Sequence, residues 1–132
     1  MFARTLHAIR LLRLIAQAWL GLIVFDIVAL TGFSRIHAWV RASSIHPRTP
    51  APSIDDTVWA VDEACVWYVK GAACLQRSAV ATWLLRRRGI RAELVIGYRP
   101  LPFDSHAWVE VDGRVVNDRQ QYRNVFTVLE RL

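Results

Sequence analysis

At Gly89 the hydrophobic pattern of this 132-residue chain changes period. Before it, apolar residues recur at three- and four-residue spacing, the repeat of a helix with one buried face. After it they alternate, the repeat of a strand. Helices therefore come first and an antiparallel sheet follows, which makes the fold class α+β. The length fits one domain with one real core. A chain with 54% hydrophobic and 21% charged residues is not intrinsically disordered.

The first segment, residues 3–30, is rich in Leu, Ala, Ile and Arg and favours helix. Arg4, His7, Arg10, Arg13 and Gln17 give its first half a polar face, whereas Ala18 to Phe25 is apolar all round. Its uncharged stretch, Leu14 to Phe25, is ended by Asp26 and falls short of the roughly 20 residues of a membrane span. No convincing cleavage site of a signal peptide follows it. A helix packed on the domain is expected, with contact to a membrane surface left open. Residues 42–54 hold three of the five prolines and read as a linker. The chain thus divides into an N-terminal helical segment (1–41), a linker (42–54) and a main domain (55–132).

In that domain Asp55-Asp56-Thr57 starts a helix whose stripe of Val58, Val61, Cys65 and Tyr68 runs on to Gly71. A second helix opens at Cys74 and buries Leu75, Val80, Leu84 and Leu85. Arg86, Arg87 and Arg88 sit in its last turn, where the helix dipole favours cations, and Gly89 stops it. Residues 90–99 form a strand with Leu94, Ile96 and Tyr98 on one face. Ser105 to Val111 is a second strand, Asp112-Gly113 a hairpin turn, Arg114 to Asp118 the return, and Val125–Leu129 a short last strand.

The net charge of +6 comes from sixteen Arg against one Lys. Arg used as a general surface residue accounts for it, and no aromatic-basic module marks a nucleic-acid partner. Two Cys make neither a disulfide framework nor more than half of a four-ligand zinc site, and they fit a reducing compartment.

The two Cys have different settings. Cys65 lies mid-stripe beside Trp67 and reads as a small buried hydrophobe. Cys74 opens a helix, where unpaired backbone N–H groups and the dipole favour thiolate and can stabilise an oxyanion. A nucleophilic Cys needs that location and a His as base. Of His7, His37, His46 and His106, the last lies on a strand whose apolar face is Ala107, Val109 and Val111. The other face, with His106, Trp108 and Glu110, is expected to point at solvent or a cleft. A third group must orient the imidazole. A two-residue turn at Asp112-Gly113 sets Asn117 on the face of His106, and a three-residue loop sets Asp118 there, so the register decides between them.

The strings CLQRSAVATWLLRRRGIRAELVIGYR, HAWVEVDGRVVND and FTVLERL resemble the transglutaminase-like cysteine protease domain of lasso-peptide clusters, the leader peptidase or B protein. The resemblance covers residues 55–132 and extends to the Leu/Arg-rich first helix. It implies a papain/transglutaminase-like fold, with the nucleophile at the head of a helix packed on an antiparallel sheet and an N-terminal helical extension. It places the nucleophile on Cys74, the base on His106 and the acid on Asp118, and so favours the three-residue loop. Many B proteins carry a winged-helix module that grips the leader. Here about fifty residues precede the catalytic region, so the chain looks like the standalone protease half of a split B protein.

The activity implied is removal of the leader from a precursor peptide in the cytoplasm, or peripherally at the membrane, without metal, nucleotide or other cofactor. The implied partners are a small leader-binding winged-helix-type protein and an ATP-dependent lasso cyclase. Two other readings stand beside it: a transglutaminase-like amidase or acyl transferase, and a non-catalytic basic protein that binds a partner or membrane.

Overall fold

The structure is a computed structural model that describes residues 1–46 and 53–132. The centre of the proline-rich linker, residues 47–52, lies outside the described residues. Four helices come first: α1 (Phe2–Ala29), α2 (Phe33–Ala42), α3 (Ile54–Val66) and α4 (Cys74–Arg87). They are followed by β1 (Ala92–Pro100), β2 (Phe103–Val111), β3 (Arg114–Val115), the short α5 (Tyr122–Val125) and β4 (Thr127–Arg131). The strands make one antiparallel sheet in the order β3-β2-β1-β4. The α+β order read from the change of period is the observed one.

α4 packs on β1 and β2, and α1, α2 and α3 pack around α4. α1 buries Leu14, Ala18, Gly21, Leu22 and Phe25, a stripe at helical spacing, against α3 and α4. Gly21 permits the close crossing, because a Cβ there would lie 2.8 Å from Val80 and 2.9 Å from Trp83. The helix has the length and hydropathy of a membrane span, yet this stripe belongs to the protein core. Its outer face leaves Phe2, Leu6, Ile9, Leu12, Leu20 and Ile27 exposed. Gly32, at φ 118°, turns the chain into α2, whose Ile36 and Val40 join the same core.

One helical boundary departs from expectation. α3 starts as its sequence predicts, with the Ser53 side chain accepting the Asp56 N–H, but it ends at Val66 instead of running to Gly71. Tyr68 donates to Asp26 at 2.5 Å and Lys70 pairs with the same carboxylate at 2.9 Å, which draws residues 67–70 off the helix axis toward α1. At the far end of α4, Arg86 is more than a cation complementing the dipole. It donates to the carbonyls of Val40, Ala92 and Leu132 at 2.7–2.9 Å, joining α2, β1 and the residue after β4.

The sheet has apolar packing on both faces. Leu94, Ala107, Val109 and Val111 meet the helices. The opposite face, expected to be open, is closed: Val95, Trp108, Val115 and Phe126 form a second cluster with Tyr122 against it. β4 pairs with β1 and carries Phe126 over Trp108. Gly97 makes the space, since a Cβ there would lie 2.8 Å from the Trp108 ring and 3.0 Å from Phe126. Glu110 is buried on this face, paired with Arg123 at 2.9 Å and hydrogen-bonded by Arg131.

Candidate active site

The β2–β3 connection corrects the register expected from the family resemblance. Val111 pairs with Arg114, so the turn has two residues, with Asp112 at φ 50° and Gly113 at φ 75°. Both central residues have positive φ, as a tight hairpin turn of this twist requires. The two-residue turn nevertheless does not put Asn117 beside the imidazole. β3 is only two residues long, and Asn117 turns into the interior. Its Oδ1 accepts the Val109 N–H at 2.8 Å, and its Nδ2 donates to Ser78 Oγ at 3.0 Å. Ser78 Oγ in turn donates to the Ala107 carbonyl at 3.1 Å. The next residue, Asp118, is then carried to His106.

His106 Nε2 lies 2.8 Å from Asp118 Oδ2. A carboxylate only accepts, so the imidazole is the donor and Nδ1 keeps its lone pair. Asp118 is held from two further sides: Arg77 Nη2 donates to Oδ2 at 3.0 Å, and the Arg119 N–H donates to Oδ1 at 3.0 Å. The imidazole itself is packed among rings, with centroids 4.5 Å from Tyr122, 5.7 Å from Phe126 and 6.2 Å from Trp108. The His106 and Asp118 side chains remain partly exposed.

Cys74 is the first residue of α4, as the helix-start argument predicts. Its cap residue, Ala73, has no side chain with which to accept the first-turn N–H groups, and these stay available as donors. The half-buried thiol lines a cleft of about 580 Å³ together with Asp62, Cys65, Val66, Gly71, Ala72 and Arg77. Among the described residues no hydrogen bond joins Cys74 to His106. Side chains from the face of α4 that bears Cys74 do reach the segments that carry His106 and Asp118. Arg77 and Ser78 follow Cys74 by three and four residues and so share its face. Arg77 bonds Asp118, and Ser78 bonds the carbonyl of the residue after His106.

Cys65 is the wrong thiol for chemistry at neutral pH. Burial, with the charge of Asp62 adding to it and Arg77 opposing, pushes it up to about 11. Burial also raises Asp62, against the pull of Arg77. His37 and His46 lie elsewhere: the His37 ring bonds Glu130 at 2.7 Å, and the His46 ring lies 3.3 Å from Ser44 Oγ while its backbone N–H donates to the Arg86 carbonyl. His7 is exposed on α1. No group of three metal-binding side chains comes together among the described residues.

Sequence reasoning missed Arg77, Ser78, Tyr122 and Phe126. The first two carried a usable signal in their spacing from Cys74. The aromatic pair did not, because its role depends on β4 returning beside β1.

Compared with known proteins, residues 22–131 match the family described as the transglutaminase-like superfamily. The chain belongs to the transglutaminase-like superfamily. It is also similar to the microcin J25-processing protein McjB of Escherichia coli, at 44% identity over 59 residues. That match covers 45% of this chain and 28% of the relative's length. No solved structure matches the chain. The superfamily match takes in residues 22–29 at the end of α1 as well as α2.

Proposed function

We propose that this transglutaminase-like chain is a cysteine peptidase that removes the leader from a ribosomally made lasso-peptide precursor, with Cys74, His106 and Asp118 as nucleophile, base and orienting acid. The observation that carries this reading is the Asp118–His106 hydrogen bond, because it leaves Nδ1 of a neutral imidazole free to take a proton, and Arg77 ties the same carboxylate to the helix that Cys74 opens. The similarity to a microcin-processing protein supplies the class of substrate.

In this reading His106 Nδ1 takes the Cys74 proton and the thiolate attacks the carbonyl at the leader–core junction. The uncapped N–H groups at the head of α4 stabilise the oxyanion. His106 then protonates the departing amine, which is the new terminus of the core. Water, deprotonated by His106, hydrolyses the thioester and releases the leader carboxylate. The freed amine is the nucleophile that a separate ATP-dependent cyclase needs.

A small winged-helix-type protein holds the leader in this scheme. α1 and α2 put their buried faces into the shared core instead of forming a leader-binding module. The enzyme works in the cytoplasm, where its thiol stays reduced.

The test is incubation with the precursor encoded beside its gene, followed by mass spectrometry. Two fragments whose masses sum to the precursor plus one water, absent with Cys74→Ala, support the reading. An adduct with an added amine would instead make the protein an acyl transferase. No Cys74-dependent product at all would refute catalysis of this kind.

A further inference from the structure

Asp118 has no strand to hold it. β3 ends at Val115, and the chain has left the ladder before Asp118 is reached. An orienting carboxylate must nevertheless stay fixed to within a fraction of an ångström, because a displacement of about 1 Å can cost on the order of 10²-fold in rate.

What fixes it comes from α4. Two consecutive residues of that helix reach the two consecutive residues of the 117–118 segment: Ser78 bonds Asn117, and Arg77 bonds Asp118. Arg77 is itself anchored from the other side, with Nη1 3.6 Å from Asp62 Oδ1 on α3. Its guanidinium thus lies between two carboxylates, hydrogen-bonded to Asp118 and at longer ion-pair range from Asp62, and it lines the cleft with Cys74 and Asp62. A planar guanidinium presents separate N–H groups in fixed directions, which suits a side chain set between two carboxylates.

We propose that Arg77 is a positioning residue: it ties the Asp118 carboxylate to the helix that presents Cys74, and through Asp118 it holds the imidazole of His106 in the tautomer that leaves Nδ1 unprotonated. The proposal rests on the catalytic reading of Cys74, His106 and Asp118. Arg77 acts through Asp118 and touches no reacting atom. Its role differs from that of an ordinary surface ion pair, whose loss would change stability slightly and leave the imidazole as it was.

The test uses the full chain and two readouts. In the first, nitrogen NMR of histidine-labelled protein follows the ring of His106, assigned by comparison with His106→Gln. The wild type should show one tautomer, with the proton on Nε2, and Arg77→Met a mixture. Arg77→Lys, which keeps the charge and can still donate to Asp118, should restore most of the wild-type signal. In the second, the rate of Cys74 alkylation by iodoacetamide at fixed neutral pH should fall about tenfold or more in Arg77→Met and recover in Arg77→Lys.

If Arg77→Met fails to fold by circular dichroism, Arg77→Gln takes its place in both readouts. An unchanged His106 tautomer together with an unchanged alkylation rate overturns the proposal. If wild-type Cys74 reacts no faster than Cys65, the catalytic reading fails instead, and the NMR comparison alone decides whether Arg77 positions His106.

Discussion

Asn117 Nδ2 donates to Ser78 Oγ at 3.0 Å, and this buried bond joins the segment that carries the acid to the helix that carries the candidate nucleophile. Asn117 also accepts the Val109 N–H, doing with a side chain what the next rung of the β2–β3 ladder would otherwise do. Asn117→Ala leaves the buried Val109 N–H without its acceptor, at a cost of about 1–3 kcal/mol, and removes the donor to Ser78 Oγ, which still bonds the Ala107 carbonyl. Thermal denaturation should show a drop of several degrees, with Cys74-dependent cleavage lost in proportion. A melting temperature equal to that of wild type would show that the link carries no weight.

The two thiols should separate by reactivity. With Cys65 pushed up to about 11 by burial, only about one molecule in a thousand is thiolate near pH 8. Iodoacetamide at neutral pH should therefore label Cys74 and spare Cys65, with Cys65 labelling rising only as the pH approaches 11. Peptide mapping reads this directly, and equal labelling of the two would contradict the assignment. By the same logic Cys65→Ala should keep most of the cleavage that Cys74→Ala abolishes.

His106 and Asp118 should not be equally sensitive. Loss of the base should match loss of the nucleophile. Loss of the orienting acid is expected to be roughly tens of times milder, as in other enzymes where nucleophile, base and acid act as a unit. Cleavage rates for His106→Gln and Asp118→Ala against Cys74→Ala make the comparison. An Asp118→Ala enzyme with wild-type kcat/KM would remove Asp118 from the set.

Glu110 gives the sheet a pH dependence. Its burial alone would raise the carboxyl. Hydrogen bonds from Arg131 and Trp108 and the charges of Arg131 and Arg123 outweigh that and hold it below its ordinary value of 4.5. A depressed folded-state value contributes stability that is present above the unfolded value and lost as the pH falls through the folded one. The melting temperature should therefore fall steeply below about pH 4.5. Glu110→Gln should be less stable at neutral pH, with Arg123 losing its carboxylate and Arg131 keeping only Glu93, but flatter through the acid range. Parallel pH profiles for the two proteins would rule Glu110 out as the source.

Gly97→Ala tests whether the second aromatic cluster supports the site. The added Cβ would meet Trp108 at 2.8 Å and Phe126 at 3.0 Å, and both rings adjoin His106. Overpacking of this kind costs about 1–3 kcal/mol. Activity should fall further than the loss of folded protein explains, as measured by cleavage per folded molecule. A variant fully active per folded molecule would uncouple the cluster from the imidazole.

The sequence was legible where local rules decide. The change of period at Gly89 gave the order of helices and sheet, and the position of Cys74 after Gly-Ala-Ala gave the helix start. It misled where long-range contacts decide. Tyr68 and Lys70 reach Asp26 and end α3 early, which no pattern within residues 55–71 records. The face of β2 bearing Trp108 alternates like a half-exposed strand, yet Phe126 and Tyr122 cover it from the far end of the chain. The choice between Asn117 and Asp118 was tied to the length of a turn. It turned instead on where β3 stops and which side chains of α4 are in reach.

The rings around His106 bear on how any substitution there will read. Tyr122, Phe126 and Trp108 all press on one imidazole, so that side chain is a wall of the second cluster as well as the proposed base. Truncating it to Ala would open a void against which the aromatic rings would slump, and a dead enzyme would then report damaged architecture as readily as missing chemistry. The informative replacements keep the volume and discard the titrating nitrogen. For the same reason a search for more thermostable variants that tightens this cluster would press directly on the one group that must stay free to exchange protons.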